Sequence, residues 1–191
     1  MTSPISYRNL VDAWPNFSDS ITDFISELGL TQLKLACDHV ALRVNDTESA
    51  KRLSQDFERL GNVISNNIIN GRPILIFELN APLIIGDMSI DCVELPYPGE
   101  KAYPVEGWEH IELVLPCPAK SCDELRDELL TIAPQLGSVL KMETEIKVKM
   151  SSPQGEHERL ANPTIAFKKN NICIKVHPHG IKAVIASEQA L

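Results

Sequence analysis

Two seven-residue segments constrain this chain more than anything else in it. Asp38-His39-Val40-Ala41-Leu42-Arg43-Val44 and Glu109-His110-Ile111-Glu112-Leu113-Val114-Leu115, 71 residues apart, each open on an acid and a histidine and then place an apolar side chain at every second position. Alternation with period two is the pattern of a half-buried strand. Val40, Leu42 and Val44 therefore face one way, toward a core, and His39, Ala41 and Arg43 face the other. In the second segment the same rule puts His110, Glu112 and Val114 on one face. A chain that repeats a histidine at the start of two such strands holds two related units and brings those strands together.

The residues around each segment repeat as well. Residues 1–35 read as helical, with Ile21, Phe24, Ile25 and Leu28 spaced as one helix face, Ser18 or Asp19 as cap and Gly29 as stop. After the first strand, Asp46 or Thr47 caps a helix whose Ala50, Leu53, Phe57 and Leu60 form an apolar stripe ending at Gly61. Three β-rich runs follow at 63–69, 73–79 and 89–95, the first two joined by Asn70-Gly71, a hairpin signal, and the last reached through a turn near Gly86-Asp87. Pro96, Pro98, Gly99, Pro104 and Gly107 mark a linker. Beyond it come a strand at 110–115, a helix opened by a Ser121/Glu124 capping box and carrying Leu125, Leu129 and Ile132, and strand-like runs at 139–142, 146–150, 164–168 and 172–176. Residues 72–80 and 162–170 also match, sharing a proline, a phenylalanine and an asparagine in register.

The expected architecture is α+β, two pseudo-twofold-related β-α-β-β-β modules behind an N-terminal helical segment. Its boundaries fall at 1–35 for that segment, 36–97 for the first module, 98–107 for the linker, 108–180 for the second module and 181–191 for a C-terminal tail.

Composition narrows the function. A net charge of -8 repels phosphate backbones and 5% aromatic residues offer few stacking platforms, which argues against nucleic acid. The first 35 residues lack a charged start followed by an unbroken apolar run, and no window approaches a membrane span, so the chain is expected to be cytoplasmic with no membrane partner. Cys37, Cys92, Cys117, Cys122 and Cys173 are odd in number and lie in or beside apolar stretches, as buried free thiols do. The Cys117–Cys122 spacing suits no thiolate zinc site.

A twofold axis brings equivalent positions together. It pairs His39 with His110, and, if Val93-Glu94 corresponds to Val176-His177, it pairs Glu94 with His177. His179 competes with His177, because Pro178 and Gly180 turn the chain there. Three imidazoles and a carboxylate form a borderline donor set, suited to Zn²⁺, Ni²⁺, Co²⁺, Fe²⁺ or Mn²⁺ ahead of Ca²⁺ or Mg²⁺. Arg43 and Lys175 are placed either to hold a substrate carboxylate or phosphate or to face solvent. Glu112 acts as a base if burial raises its pKa, whereas pairing with Arg43 or Lys175 lowers it. His157, in the polar run 154–159, reads as a solvated loop residue that such a loop could also deliver over the site.

These residues carry a resemblance. The doubled β-α-β-β-β order, with His39, Glu94, His110 and a terminal donor at the ends of strands one, four, five and eight, resembles the vicinal oxygen chelate superfamily over residues 38–178, and the whole chain resembles its YecM family. The resemblance implies an open, cup-shaped mixed β-barrel with helices outside, around one divalent metal (Zn, Ni, Fe or Mn) held by His39, Glu94, His110 and His177. It further implies a metal-dependent isomerase, lyase or oxygenase whose metal chelates adjacent oxygens of a small substrate; if that substrate is anionic, Arg43 and Lys175 are the residues that would bind it. His177 departs from the pattern, where the last ligand is usually Glu; because that residue also serves as base in isomerase members, His177 is one catalytic candidate, and Glu112, from its own place next to the metal, is the other. The alternatives are a non-catalytic module that sequesters a small acidic molecule in the same cup, and a closed structural zinc site. The chain is expected to act as a monomer or homodimer.

Overall fold

A computed structural model describes residues 4–69, 71–152 and 160–189; His157 and Asn70 lie outside the described residues. Helix α1 runs Tyr7–Glu27 with Pro15 inside it, and its cap is Ser6, whose hydroxyl and backbone close a capping box with Asn9. The start expected at Ser18 or Asp19 is therefore corrected by more than three turns: Pro15 does not break the helix, because Leu10 and Phe17 on either side of it are buried in one stripe with Ile21 and Phe24. Gly29, at φ 70, ends the helix as expected.

Strand β1 (Ala36–Arg43) leads to α2 (Thr47–Leu60), capped by Asp46, which accepts the Ser49 N–H at 2.8 Å. Strands β2 (Gly61–Ile69), β3 (Arg72–Ile85) and β4 (Met88–Pro96) complete the first module. The second comprises β5 (Gly107–Val114), α3 (Cys122–Ile132) capped by Ser121, the short α4 (Gly137–Leu140), β6 (Lys147–Ser151), β7 (Thr164–Lys169) and β8 (Ile172–His177). The strand expected at 139–142 is α4 instead: buried Leu136, Val139 and Leu140 recur at helical spacing, and Met142 turns out to solvent at φ 58. The C-terminal residues form α5 (Ile181–Gln189).

All eight strands make one open mixed sheet in the order β2-β3-β4-β1-β5-β8-β7-β6. The order is a palindrome: β1 runs parallel to β4, β5 runs parallel to β8, and the two halves meet antiparallel along β1 and β5. Pairing of His39 with Glu112 and of Ala41 with His110 places the pseudo-twofold axis on that seam.

Helices α1, α2 and α3 cover one face, where Val40, Leu42, Phe57, Phe77, Ile111, Leu113, Phe167 and Ile174 form the main core. Phe57 packs edge-on against Tyr7 and beside Phe77, contacts worth about 1 kcal/mol each beyond the area they bury. The opposite face carries His39, His110 and His177. Over its first module, α5 sets Ile181 and Ile185 on Ile74, Ile76 and Cys92, and Lys182 bridges Glu78 and Asp91. Among the described residues no helix is long and apolar enough to cross a membrane.

Candidate metal centre

Two bulges build the site. Along the seam the pairing passes from Cys37↔Leu113 to His39↔Glu112, which leaves Asp38 as an extra residue, and from Ala41↔His110 to Leu42↔Trp108, which leaves Glu109 extra. A bulge re-aims a side chain, and here it lets each acid reach the histidine that follows it. Asp38 Oδ1 lies 3.2 Å from His39 Nδ1, and Glu109 Oε2 contacts His110 Nδ1. A carboxylate on Nδ1 orients the ring and leaves Nε2 as the free donor.

Both Nε2 atoms converge on Glu112. Its Oε1 lies 3.2 Å from His110 Nε2 and 3.5 Å from His39 Nε2. One donor atom from each of His39, His110 and Glu112 falls within 4.8 Å of the others, and all three side chains are buried. Such a group can hold a metal ion. His39 strengthens the fit: among the described residues neither of its buried ring nitrogens has a partner with hydrogen-bond geometry, a costly state for a group at 1% exposure unless something else engages it.

The charges are strongly coupled. Burial alone would raise the Glu112 pKa, but Lys175 and His39 hold it well below the usual carboxylate range; Lys175 Nζ sits 2.8 Å from Oε1. Of the two outcomes open for Glu112 in sequence, the geometry gives pairing with Lys175, which keeps it ionised. Burial opposes a charge on His39, yet Asp38 and Glu112 push its pKa well above the ordinary histidine value. Glu109, despite burial, is held down to about 2 by His110 and then by Arg43. Asp38 is likewise depressed against its burial, by His39 and His177.

The other expected site residues take these places. Glu94 Oε2 is 3.7 Å from His39 Nε2, at the edge of the group. His177 is buried beside it, its ring centre 6.2 Å from that of His39; its Nε2 faces Asp38 Oδ1 at 3.3 Å, and its Nδ1 faces the Asn162 amide at 2.9 Å and Glu112 Oε2 at 3.5 Å. His179 meets Asn162 through its backbone N–H and carbonyl. Arg43 stands 3.2 Å from Glu109 and over the Tyr103 ring.

One correspondence is corrected. Glu94 pairs with Ala41, and the twofold-related pair on β5 and β8 is Glu112 with Lys175. Lys175, not His177, is thus the counterpart of Glu94, a slip of two residues that the shared valines of Val93-Glu94 and Val176-His177 conceal in sequence. Asn162 was not singled out by sequence, and the two acids were seen only as part of a repeat; a bulge, which no periodicity announces, is what gives them a task.

Comparison with known proteins agrees with this architecture. The YecM protein family matches residues 6–188. Protein YecM of Escherichia coli (strain K12) is 42% identical over 188 residues, covering 96% of this chain and 94% of that one. A Haemophilus influenzae protein described as uncharacterized is 38% identical over 172 residues, covering 87% and 86%. The solved structural-genomics protein EC4020 superposes with a TM-score of 0.81 at 36% identity, over 98% of this chain and 99% of that one. With a family match over nearly its whole length and a relative of this similarity, the chain belongs to the YecM family.

Proposed function

We propose that this protein binds one divalent metal ion through Nε2 of His39, Nε2 of His110 and the Glu112 carboxylate, with Glu94 as an adjoining fourth donor, and uses that centre on a small anionic molecule with adjacent oxygens. The observation that carries the reading is His39 Nε2, buried, without a hydrogen-bond partner among the described residues, and turned toward Glu112 and Glu94. Two imidazoles with carboxylates favour Zn²⁺, Ni²⁺, Fe²⁺ or Mn²⁺. Bound there, the metal supplies Lewis acidity to two neighbouring oxygens, the chemistry of an isomerase, lyase or oxygenase of the vicinal oxygen chelate kind.

The chain's own residues do the rest. Glu112 is held ionised by Lys175, so it serves as a donor to the metal and gives up no proton. Asp38 and Glu109 orient the two rings. Lys175, a quarter exposed, is the cation beside the group that an anionic substrate would meet first.

The runner-up, a module that sequesters a small acid without turning it over, is favoured by Arg43, whose Nε is buried without a partner among the described residues. Anion-induced thermal stabilisation of metal-free protein, lost in Arg43→Ala, would support it. For the leading reading the test is elemental analysis and titration of untagged protein. Uptake of one Zn²⁺, Ni²⁺ or Mn²⁺ per chain is expected, and a chain that takes up none of them refutes it.

A further inference from the structure

We infer that His177 is a positioning residue and not a metal ligand: Asn162, His177 and Asp38 form a hydrogen-bonded relay, and its terminal carboxylate, 3.2 Å from His39 Nδ1, sets the orientation of that ring through a charge contact. The inference deepens the metal reading above and rests on it for its consequence, though not for its geometry.

The relay begins at Asn162. Its Oδ1 accepts the His179 N–H at 3.0 Å and its Nδ2 donates to the His179 carbonyl at 3.1 Å. These two bonds fix which end of the amide is which, so the group 2.9 Å from His177 Nδ1 is the NH₂. An NH₂ can only donate, so His177 Nδ1 must accept and carries no hydrogen. In the neutral ring the hydrogen then sits on Nε2, which donates to Asp38 Oδ1 at 3.3 Å. Nδ1 also stands 3.5 Å from Glu112 Oε2, too long and with no hydrogen to share, so the Asn162 amide and Asp38 are the groups that engage the two nitrogens of His177. No lone pair is left for a metal, and the ring, at 2% exposure, has no room to exchange partners with water.

Asp38 passes the constraint on. Its Oδ2 accepts the N–H of Ile181, the first residue of α5, while Oδ1 stands between His177 Nε2 and His39 Nδ1. Held from two sides, this carboxylate cannot swing away from His39. The twofold-related arm is built differently: Glu109, which orients His110, is held by Arg43 at 3.2 Å and Lys168 at 3.7 Å. One acid is held by a histidine, itself bonded to an amide, and by a backbone N–H, the other by an arginine and a lysine. The relay also explains why a histidine can stand two residues beyond the Lys175 position, close to the centre yet facing Asp38 and Asn162.

Two measurements on the full chain test this. Histidine ¹⁵N NMR of metal-free protein reads the tautomer directly, and a hydrogen on His177 Nε2 is expected; a hydrogen on Nδ1 overturns the relay. Cobalt(II) titration then compares wild type with His177→Gln, His177→Ala and Asn162→Ala, circular dichroism checking that each is folded. Glutamine can donate to Asp38 and accept from Asn162, so His177→Gln should bind within a few-fold of wild type with the same cobalt absorption spectrum. His177→Ala and Asn162→Ala should weaken binding about tenfold, as removal of an outer hydrogen-bond partner does, again without altering the spectrum. A His177→Gln chain that loses more than about 100-fold, or whose spectrum shows a lost nitrogen donor, makes His177 a ligand and overturns the inference. If wild type takes up no cobalt, the metal reading falls by itself, and the tautomer still decides whether the relay exists.

Discussion

Lys175 Nζ lies 2.8 Å from Glu112 Oε1, and the same two residues are partners across the β5–β8 ladder. Their twofold counterparts are Glu94 and Ala41. Duplication has thus left an ammonium where symmetry with Glu94 would set a second carboxylate, and a carboxylate where it would set a methyl group. The centre is asymmetric because of these two positions.

Removing the ammonium should uncover what Glu112 needs. Breaking a buried pair by deleting one partner costs about 3 kcal/mol at the low end of the range, the end that suits a lysine a quarter exposed. Urea unfolding of Lys175→Met should show a loss of that order in metal-free protein. Saturating metal should recover part of it, since the ion becomes the counter-charge of Glu112. A loss unchanged by metal would place the ion elsewhere.

Metal affinity should rise with pH. Asp38 and Glu112 raise the His39 pKa against the effect of burial, so the metal-free ring holds its proton to higher pH than an ordinary histidine does. That proton contributes stability that is fully present below the ordinary histidine pKa and is lost as pH climbs through the raised value. A metal must displace it, so affinity gains about tenfold per pH unit across that window. Calorimetry at pH 7 in buffers of different ionisation enthalpy should find about one proton released per ion bound; none released would contradict the assignment of His39.

The cysteines should divide by burial. Burial first, and then Asp91 beside Cys92 and Glu109 beside Cys173, push these two thiols up to about 12; Cys37 is raised as well, by burial and then Asp38. Only the thiolate reacts. In native protein at pH 8 a disulfide reagent should label Cys117 and Cys122, which are half-buried, and should reach the other three on unfolding. Five equally fast thiols in the native chain would be inconsistent with this packing.

Glycine is required at Gly61 for space, not for conformation. A Cβ there would stand 2.0 Å from the Glu78 carbonyl oxygen, across the β2–β3 ladder. Gly61→Ala should cost about 3 kcal/mol through forced backbone displacement. Gly71→Ala meets nothing within 4 Å, and its φ of +76 alone should cost about 1 kcal/mol. Denaturant midpoints in the opposite order would mean that the β2–β3 contact is looser than described.

Much of this fold is legible in the sequence because its signals are local. The period-two segments, the stripe Ala50-Leu53-Phe57 and the caps Asp46 and Ser121 each act within a few residues, and each forms where expected. What sequence misplaced depends on distant partners. Pro15 is tolerated inside α1 because the apolar stripe on both sides of it is buried. Residues 137–140 turn helical because Leu136, Val139 and Leu140 find a core. Lys175 was legible as a residue near the site but not as the counterpart of Glu94, since strand register is set by the whole ladder. Glu112 drew notice as a possible base; its place between two imidazoles follows from the bulges at Asp38 and Glu109, which leave no periodic trace.

The central claim is that the repeated acid-histidine segments form one metal centre with Glu112. Titrating Zn²⁺ or Co²⁺ into untagged wild type, His39→Ala and His110→Ala tests it most directly. One ion per wild-type chain is expected, with loss of tight binding in both variants and the fold retained. A wild type that binds no ion, or variants that bind as tightly as wild type, would contradict it.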